Sequence, residues 1–167
     1  MPGAEVRKKE RFTLKQAKTF RPKVTKPEEI DDVVFQLGIN DFNHGFSGTE
    51  IAEKFFDIQK QYKKQFPNAR QHITAIPPLS KDHEQVNKRL QKQCSQLGCN
   101  FISTKSFLDH ATGRFRIKLI KSDRLHYSDI GIRHLAKEIK KSLFSLSNRE
   151  SDQLSHVSSM RKDNPTQ

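Results

Sequence analysis

Apolar residues in the middle of the chain follow two different spacings, which predict strands and helices in alternation. The run at residues 33–37 is short, β-branched and aromatic, and it stops at Gly38, as is typical of a buried strand in a parallel sheet. Residues 47–66 carry apolar side chains at intervals of three and four, which predicts an amphipathic helix with an inner face formed by Ile51, Phe55, Ile58 and Tyr62.

The same alternation continues toward the C-terminus. Residues 71–76 predict a second strand, residues 82–97 a second helix with Val86, Leu90 and Cys94 on one face, and residues 100–103 a third strand. A final helix is predicted to begin near Ser128 and to face inward through Ile132, Leu135, Ala136, Ile139 and Leu143. This order predicts a parallel sheet covered by helices on both faces, whose ligand site lies at the carboxyl ends of the strands.

The two ends of the chain differ from this middle region. Residues 1–30 form a basic N-terminal segment in which residues 5–18 predict a helix, with nine basic against two acidic residues as far as Lys26. Residues 31–146 form the predicted α/β domain. Residues 147–167 are polar, and from about Asn148 we expect a disordered tail because little apolar area offsets the entropy of ordering it.

Composition restricts the surroundings and the partners of the protein. The formal net charge is +12, so phosphate-rich partners such as nucleic acids would be attracted without any reading of sequence. Cys94 and Cys99 have no further pair at zinc-ligand spacing, which indicates neither a disulfide framework nor a metal site. No apolar run is long enough to span a membrane and no secretory signal is recognisable, so the sequence predicts a cytoplasmic protein.

Two polar clusters carry the chemistry that the sequence suggests. Gly38-Ile39-Asn40-Asp41 follows the first strand, and Asp123-Arg124-Leu125-His126 directly precedes the last helix. An aspartate three residues before a histidine can accept the Nδ1 proton and leave Nε2 free as a general base. The amide of Asn40 is a donor that could stabilise a developing oxyanion. We therefore expect the two clusters to meet at one edge of the sheet.

Each cluster also has a plain structural interpretation. Asn40 and Asp41 favour strand-to-helix turns in any protein, and Asp123 and His126 could belong to a solvated loop before a helix that Ser128 caps. The remaining histidines have no metal spacing, and surface or sheet-edge positions are expected for them; they are His44, His72, His83, His110, His134 and His156.

Together the clusters resemble blocks III and V of the SGNH (GDSL-type) hydrolase family, whose motifs are GxND and DxxH. The surrounding sequence is similar as well, from the strand before Gly38 to the closing helix, so the resemblance covers roughly residues 1–144. It implies a three-layer α/β/α, flavodoxin-like fold with a parallel sheet whose first strand is missing from this chain.

The resemblance also implies a role for each matching residue. The side chain of Asn40 belongs to the oxyanion hole, His126 is the general base, and Asp123 orients His126. Gly38 allows the tight turn at the strand end. Pro2-Gly3-Ala4 is similar to block II, which makes the backbone N–H of Gly3 a further oxyanion donor. No metal or cofactor is implied.

The nucleophile of the family has no counterpart in the sequence. The Gly-Asp-Ser motif would precede Gly3, and the first serine of this chain is Ser47. The sequence therefore predicts a domain related to hydrolases of carboxylic esters or other small acylated substrates, inactive as the chain stands. The alternative is a non-catalytic basic module that binds nucleic acid, since similar esterase domains occur in proteins of some LINE-type retrotransposons.

Overall fold

A computed structural model describes residues 13–20, 22–123 and 126–160, with side chains as far as Ser145. Its helices and strands follow one another in the order α1 (Leu14–Thr19), β1 (Asp32–Phe35), α2 (Ile39–Asn43), α3 (Gly48–Gln65), β2 (Arg70–Thr74), α4 (Lys81–Leu97), β3 (Asn100–Ile102) and α5 (Asp129–Met160). The chain divides into two compact units, Met1–Phe115 and Arg116–Gln167, and each is described by itself.

The sheet of the first unit consists of three parallel strands in the order β1-β2-β3. In the register, Val33 lies beside Gln71, and Ile73 lies beside Phe101. The central strand β2 is buried from its second residue onward. This arrangement confirms the predicted α/β fold with a parallel sheet.

Both predicted amphipathic helices form, and local chemistry sets their ends. Helix α3 begins after Ser47, whose side chain and that of Glu50 form a reciprocal capping box. Helix α4 begins after Ser80 and ends at Gly98, whose φ of 65° is in the left-handed region. The apolar side chains predicted for their inner faces are all buried: Ile51, Phe55, Ile58 and Tyr62 in α3, and Val86, Leu90 and Cys94 in α4.

The hydrophobic core lies between one face of the sheet and these two helices. Helices α3 and α4 contact each other, and their inner faces join Phe35 of β1 and Ile73 of β2 in one cluster. Burial of Phe55, which is 0% exposed, stabilises the fold by roughly 1.5–3 kcal/mol. Strand β2 is also tied to α3 by a hydrogen bond of 3.0 Å from Nε2 of Gln71 to the carbonyl of Gln59.

A polar cluster occupies the start of strands β1 and β2. The guanidinium of Arg70 donates to both carboxylate oxygens of Asp32 at 2.8 and 2.9 Å, and Nε2 of His72 lies 2.7 Å from Oδ1 of Asp32. Partial burial acts to raise the pKa of Asp32, but the hydrogen bonds from Arg70 and His72 outweigh it and hold the pKa below its ordinary value. The prediction that His72 lies at the surface or at a sheet edge is wrong, because this side chain is 0% exposed and lies in the central strand β2.

Helix α1 is the part of the predicted basic helix that the structure describes. Thr13 caps it in a reciprocal pair with Gln16, and Leu14 and Ala17 are buried. The predicted residues 5–12 of that helix lie outside the described residues.

The second unit begins with a 3-10 turn, Ile117–Leu119, and an isolated antiparallel bridge between Ile120 and Tyr127. Helix α5 follows, and Ser128 caps it by accepting a hydrogen bond from the backbone N–H of Gly131 at 3.1 Å, as expected. Adding a Cβ to Gly131 would place it 1.9 Å from the carbonyl oxygen of Leu119, so only glycine fits there.

One expectation about the last helix is wrong in part. Ile132 and Ala136 were expected to face inward but are exposed, whereas Leu135 is buried and Ile139 and Leu143 are partly buried. The backbone of α5 is helical as far as Met160. The predicted disorder of the polar tail from about Asn148 stays a prediction.

Candidate functional site

The first cluster lies just after the end of strand β1. Gly38 has a φ of 99°, and its carbonyl accepts the first hydrogen bond of α2 from Phe42 at 2.9 Å. A residue with a side chain would be strained in this conformation, so the predicted role of Gly38 in a tight turn has a physical basis. Asn40 follows in the first turn of α2 and is partly exposed.

Asp41, the neighbour of Asn40, is turned into the protein. Its side chain is 1% exposed, and Oδ2 accepts a hydrogen bond of 2.9 Å from the backbone N–H of Leu14. Its Oδ1 lies 3.5 Å from Nζ of Lys54, which sits 3.1 Å above the ring centre of Phe46. The two polar residues of the motif therefore differ: Asp41 holds α1 in place, and Asn40 remains within reach of solvent.

The start of α4 borders the first cluster through the ring of Phe42, whose centroid is 4.3 Å from that of His83. His83 was expected at the surface, but it is buried, and its Nδ1 lies 2.6 Å from Oγ of Ser80. Burial lowers the pKa of His83, although the charge of Asp82 opposes this. His83 is therefore a neutral ring that packs against Phe42 of α2.

Two cavities lie near this end of the first unit. One, of about 390 Å³, is lined by the α2–α3 connection and the start of α4, including Phe42, Phe46 and Gln85. The other, of about 220 Å³, lies beyond the ends of β2 and β3 and is lined by residues such as Ala75 and Thr104. Asn40 lines neither of these two cavities.

The second cluster is a histidine–aspartate pair in the other unit. Nδ1 of His126 lies 2.7 Å from Oδ2 of Asp123, while Oδ1 of the same carboxylate accepts a hydrogen bond of 3.0 Å from the backbone N–H of His126. The side chain of His126 is 63% exposed and that of Asp123 is 47% exposed. The carboxylate therefore fixes the ring by one nitrogen and leaves Nε2 as the nitrogen available to a substrate.

The backbone around this pair is closed into a short hairpin. The N–H of Lys121 donates to the carbonyl of His126 at 2.8 Å, and the N–H of Ser128 donates to the carbonyl of Leu119 at 3.0 Å. The Ile120–Tyr127 bridge lies between these two hydrogen bonds, and burial raises the pKa of the Tyr127 hydroxyl above its ordinary value. The loop that carries Asp123 and His126 is thus anchored at both ends.

The structure tests only part of the predicted site. It brings Asp123 and His126 together, and it places Gly38 and Asn40 at the strand end, but the two clusters belong to different units. Their meeting at one edge stays a prediction. Gly3, the proposed second oxyanion donor, lies outside the described residues, as do Arg124 and Leu125.

Within the described part of the chain, no group of three or more histidine, cysteine, aspartate or glutamate side chains is arranged to hold a metal ion. None of the helices in that same part is both long and apolar enough to cross a membrane.

Comparison with solved structures decides the fold. No protein-family model matches the sequence, and no curated protein matches it either. The psychrotrophic esterase EstA from Pseudoalteromonas sp., solved in a form inhibited by monoethylphosphonate, is similar with a TM-score of 0.61 and 18% identity, covering 82% of this chain and 74% of that one. A Streptococcus pneumoniae protein provisionally named a platelet activating factor is similar with a TM-score of 0.59 and 19% identity, covering 68% of this chain.

The chain has the α/β fold of these two solved structures. It spans 59% of the length of the Streptococcus pneumoniae protein. At identities this low the likeness concerns the fold, and it leaves the chemistry to be argued from the side chains.

Proposed function

We propose that this chain carries the general base and one oxyanion donor of an SGNH-type acyl-ester hydrolase. The observation that supports this most is the double contact between Asp123 and His126, at 2.7 Å to the ring and 3.0 Å to the backbone. A hydrogen-bonded pair this exposed adds little to stability, so stability alone is a weak reason for fixing the ring so closely.

In this proposal His126 moves the proton and Asn40 stabilises the charge. Nε2 of His126 takes a proton from the attacking hydroxyl or water and returns it to the leaving alcohol, while Asp123 keeps the proton on Nδ1 in place. The side-chain amide of Asn40 donates to the oxyanion of the tetrahedral intermediate. The substrate is a carboxylic ester or another small acylated compound.

The sequence given contains no Gly-Asp-Ser motif, so water is the only attacking group proposed for this chain by itself. Hydrolases deprived of one triad member retain about 10³–10⁴-fold acceleration over the uncatalysed reaction. We therefore expect no nucleophile-dependent turnover, and at most slow hydrolysis of an activated aryl ester by water, without a burst. We also expect no covalent labelling by a fluorophosphonate.

The test compares hydrolysis of p-nitrophenyl acetate by the purified chain and by three variants at neutral pH. His126→Ala should slow the reaction by about a hundredfold, the lower end of what a positioned general base contributes. Asn40→Ala should slow the reaction by up to about a hundredfold, as loss of an oxyanion donor does. His110→Ala is the matched control, since His110 is another exposed loop histidine, and it should leave the rate unchanged.

Three results would contradict the proposal. Equal loss of rate in His126→Ala and His110→Ala would mean that any surface imidazole suffices. Additive effects of His126→Ala and Asn40→Ala would mean that the two groups act on the ester independently, because groups that serve one transition state are strongly non-additive. Labelling by the fluorophosphonate would show that a nucleophile other than water is used.

A basic face of helix α5 favours a second candidate function, binding of nucleic acid. Arg133, Lys137, Lys140 and Lys141 are all exposed and recur at helical spacing on one face. The net charge of +12 acts in the same direction, and it fits the resemblance to esterase domains of LINE-type retrotransposon proteins. Contacts of this kind neutralise phosphates and carry no sequence information.

Salt dependence distinguishes a real interface from general attraction. For duplex DNA, the logarithm of the association constant falls with the logarithm of the salt concentration, and each phosphate contact makes this slope steeper by about 0.9. The double variant Lys137→Gln, Lys140→Gln should therefore reduce the slope by about 1.8. The matched control, Lys60→Gln with Lys64→Gln on α3, removes the same charge from another exposed helix face. Equal effects of the two double variants would remove α5 as an interface.

A further inference from the structure

The two cysteines of the chain meet at the end of helix α4. Cys94 lies in the last turn of the helix, Gly98 turns the chain with a φ of 65°, and Cys99 follows immediately. The backbone N–H of Cys99 donates to the carbonyl of Cys94 at 3.1 Å. In this type of helix end the residue after the glycine packs its side chain on the residue five positions earlier. The turn therefore sets the two thiols side by side.

The surroundings of the two sulfur atoms differ. Cys94 is 1% exposed within the core, whereas Cys99 is only partly buried. The neighbouring Cys94 side chain is the largest of the effects that hold the pKa of Cys99 below its ordinary value, and the side chain of Gln59 acts in the same direction. The neighbouring Cys99 side chain and burial together raise the pKa of Cys94. Cys99 is thus the more acidic and the more accessible thiol.

We propose that Cys94 and Cys99 form a peroxide-reactive dithiol site that closes to an intramolecular disulfide. The Cys99 thiolate attacks one oxygen of a hydroperoxide, the O–O bond breaks, and an alcohol or water leaves after taking up a proton, so Cys99 becomes a sulfenic acid. The Cys94 sulfur then attacks Cys99, the S–O bond breaks, and water leaves with the proton of Cys94. The two thiols lose two electrons and the peroxide gains them.

The site stands apart from the proposed hydrolase chemistry. Cys99 directly precedes strand β3, so the disulfide would join the end of α4 to the start of an edge strand of the sheet. The backbones of the two residues already lie close together, since the N–H of Cys99 donates to the carbonyl of Cys94 at 3.1 Å, and a disulfide requires such close backbones.

The experiment treats the reduced full chain with hydrogen peroxide and follows it by intact mass and peptide mapping. The expected result is loss of two hydrogen atoms, reversed by dithiothreitol, with a Cys94–Cys99 crosslinked peptide. Cys94→Ser should form no disulfide and should give a dimedone adduct on Cys99. Cys99→Ser should react with peroxide at least about tenfold more slowly than the parent chain, because the remaining thiol is buried and little ionised.

Variants of the turn test its part in the reaction. Gly98→Asn retains a residue that accepts the left-handed conformation, whereas Gly98→Val does not. Closure in Gly98→Asn should match the parent chain and closure in Gly98→Val should slow, with circular dichroism used to check that both are folded. Persistence of both free thiols under peroxide that fully oxidises glutathione would overturn the proposal. Crosslinking between chains, or closure in Gly98→Val at the parent rate, would overturn it as well.

Discussion

The two polar residues of the strand-end motif have different environments, since Asp41 is buried and its neighbour Asn40 is partly exposed. Replacing Asp41 tests whether its role is to hold α1 in place. Replacing Asp41 with alanine leaves the backbone N–H of Leu14 without an acceptor in a buried site. A buried donor left unpaired costs about 1–3 kcal/mol. The ammonium of Lys54 also loses its partner at 3.5 Å, but its side chain is 32% exposed and can be hydrated, so this adds only about 1 kcal/mol.

The expected loss for Asp41→Ala is therefore about 3 kcal/mol in the free energy of unfolding. Asp41→Asn retains an oxygen that can accept from Leu14 and should lose about 1–2 kcal/mol. Urea denaturation followed by circular dichroism measures both values. Amide hydrogen exchange in α1 should rise in Asp41→Ala, because Leu14 is the first residue of that helix.

Asp57→Ala provides the matched control. Asp57 also contacts α1, through Lys18 at 2.5 Å, but both side chains of this pair are about half exposed. Removing it should cost less than about 1 kcal/mol. If Asp41→Ala proved no more damaging than Asp57→Ala, burial of the carboxylate would not be what anchors α1, and the inward role assigned to Asp41 would be wrong.

Three further substitutions test the fold. Arg70→Met should destabilise the chain by about 2 kcal/mol at pH 7 in urea denaturation, and because Asp32 has a lowered pKa in the folded state, this difference should shrink as the pH falls below about 4; an unchanged difference at pH 3 would refute it. Gly131→Ala should cost more than about 2 kcal/mol in thermal unfolding, since its Cβ would lie 1.9 Å from the oxygen of Leu119. Gly38→Ala should cost about 1–2 kcal/mol by the same measurement, because of the φ of 99°.

The parts of the fold that the sequence predicts well are those fixed by neighbouring residues. Helix α3 was predicted to begin at Ser47, which is its cap, and the predicted end of α4 coincides with its last residue, Leu97. Capping residues and the three-to-four spacing of apolar side chains act within a few positions, so they are visible in the sequence. The strands were predicted for a similar reason, because the residues that end them, such as Gly38 after β1, are also visible in the sequence.

The polar contacts that the sequence did not reveal join residues far apart along the chain. Asp41 meets Leu14 across 27 positions, and Asp32 meets His72 across 40 positions. No periodicity predicts such contacts, because they depend on the strand register and on where α1 rests. One signal was available: Asp32 and Arg70 directly precede the predicted strands 33–37 and 71–76, and opposite charges at the start of adjacent parallel strands can pair.

The last helix shows a different limit of the sequence pattern. A stripe through Ile132, Leu135 and Ala136 was expected to face inward, yet only Leu135 is buried. Spacing identifies a helix, but it does not say how wide a stripe its neighbours cover. Gly131 supplied a better clue, since a glycine in a first helical turn often marks close approach of another backbone segment.

The candidate site shows the same difference between contacts of near neighbours in sequence and contacts of distant residues. The Asp123–His126 contact spans three positions, so the motif alone predicts it, and the structure contains it at 2.7 Å. Whether Asn40 serves the same ester depends on the packing of two separate units, which no short motif encodes. Because the histidine–aspartate pair is exposed and adds little to stability, a change in unfolding free energy cannot reveal its role. Whether the two clusters act on the same ester can be decided only from the hydrolysis rate of a variant in which both clusters are altered.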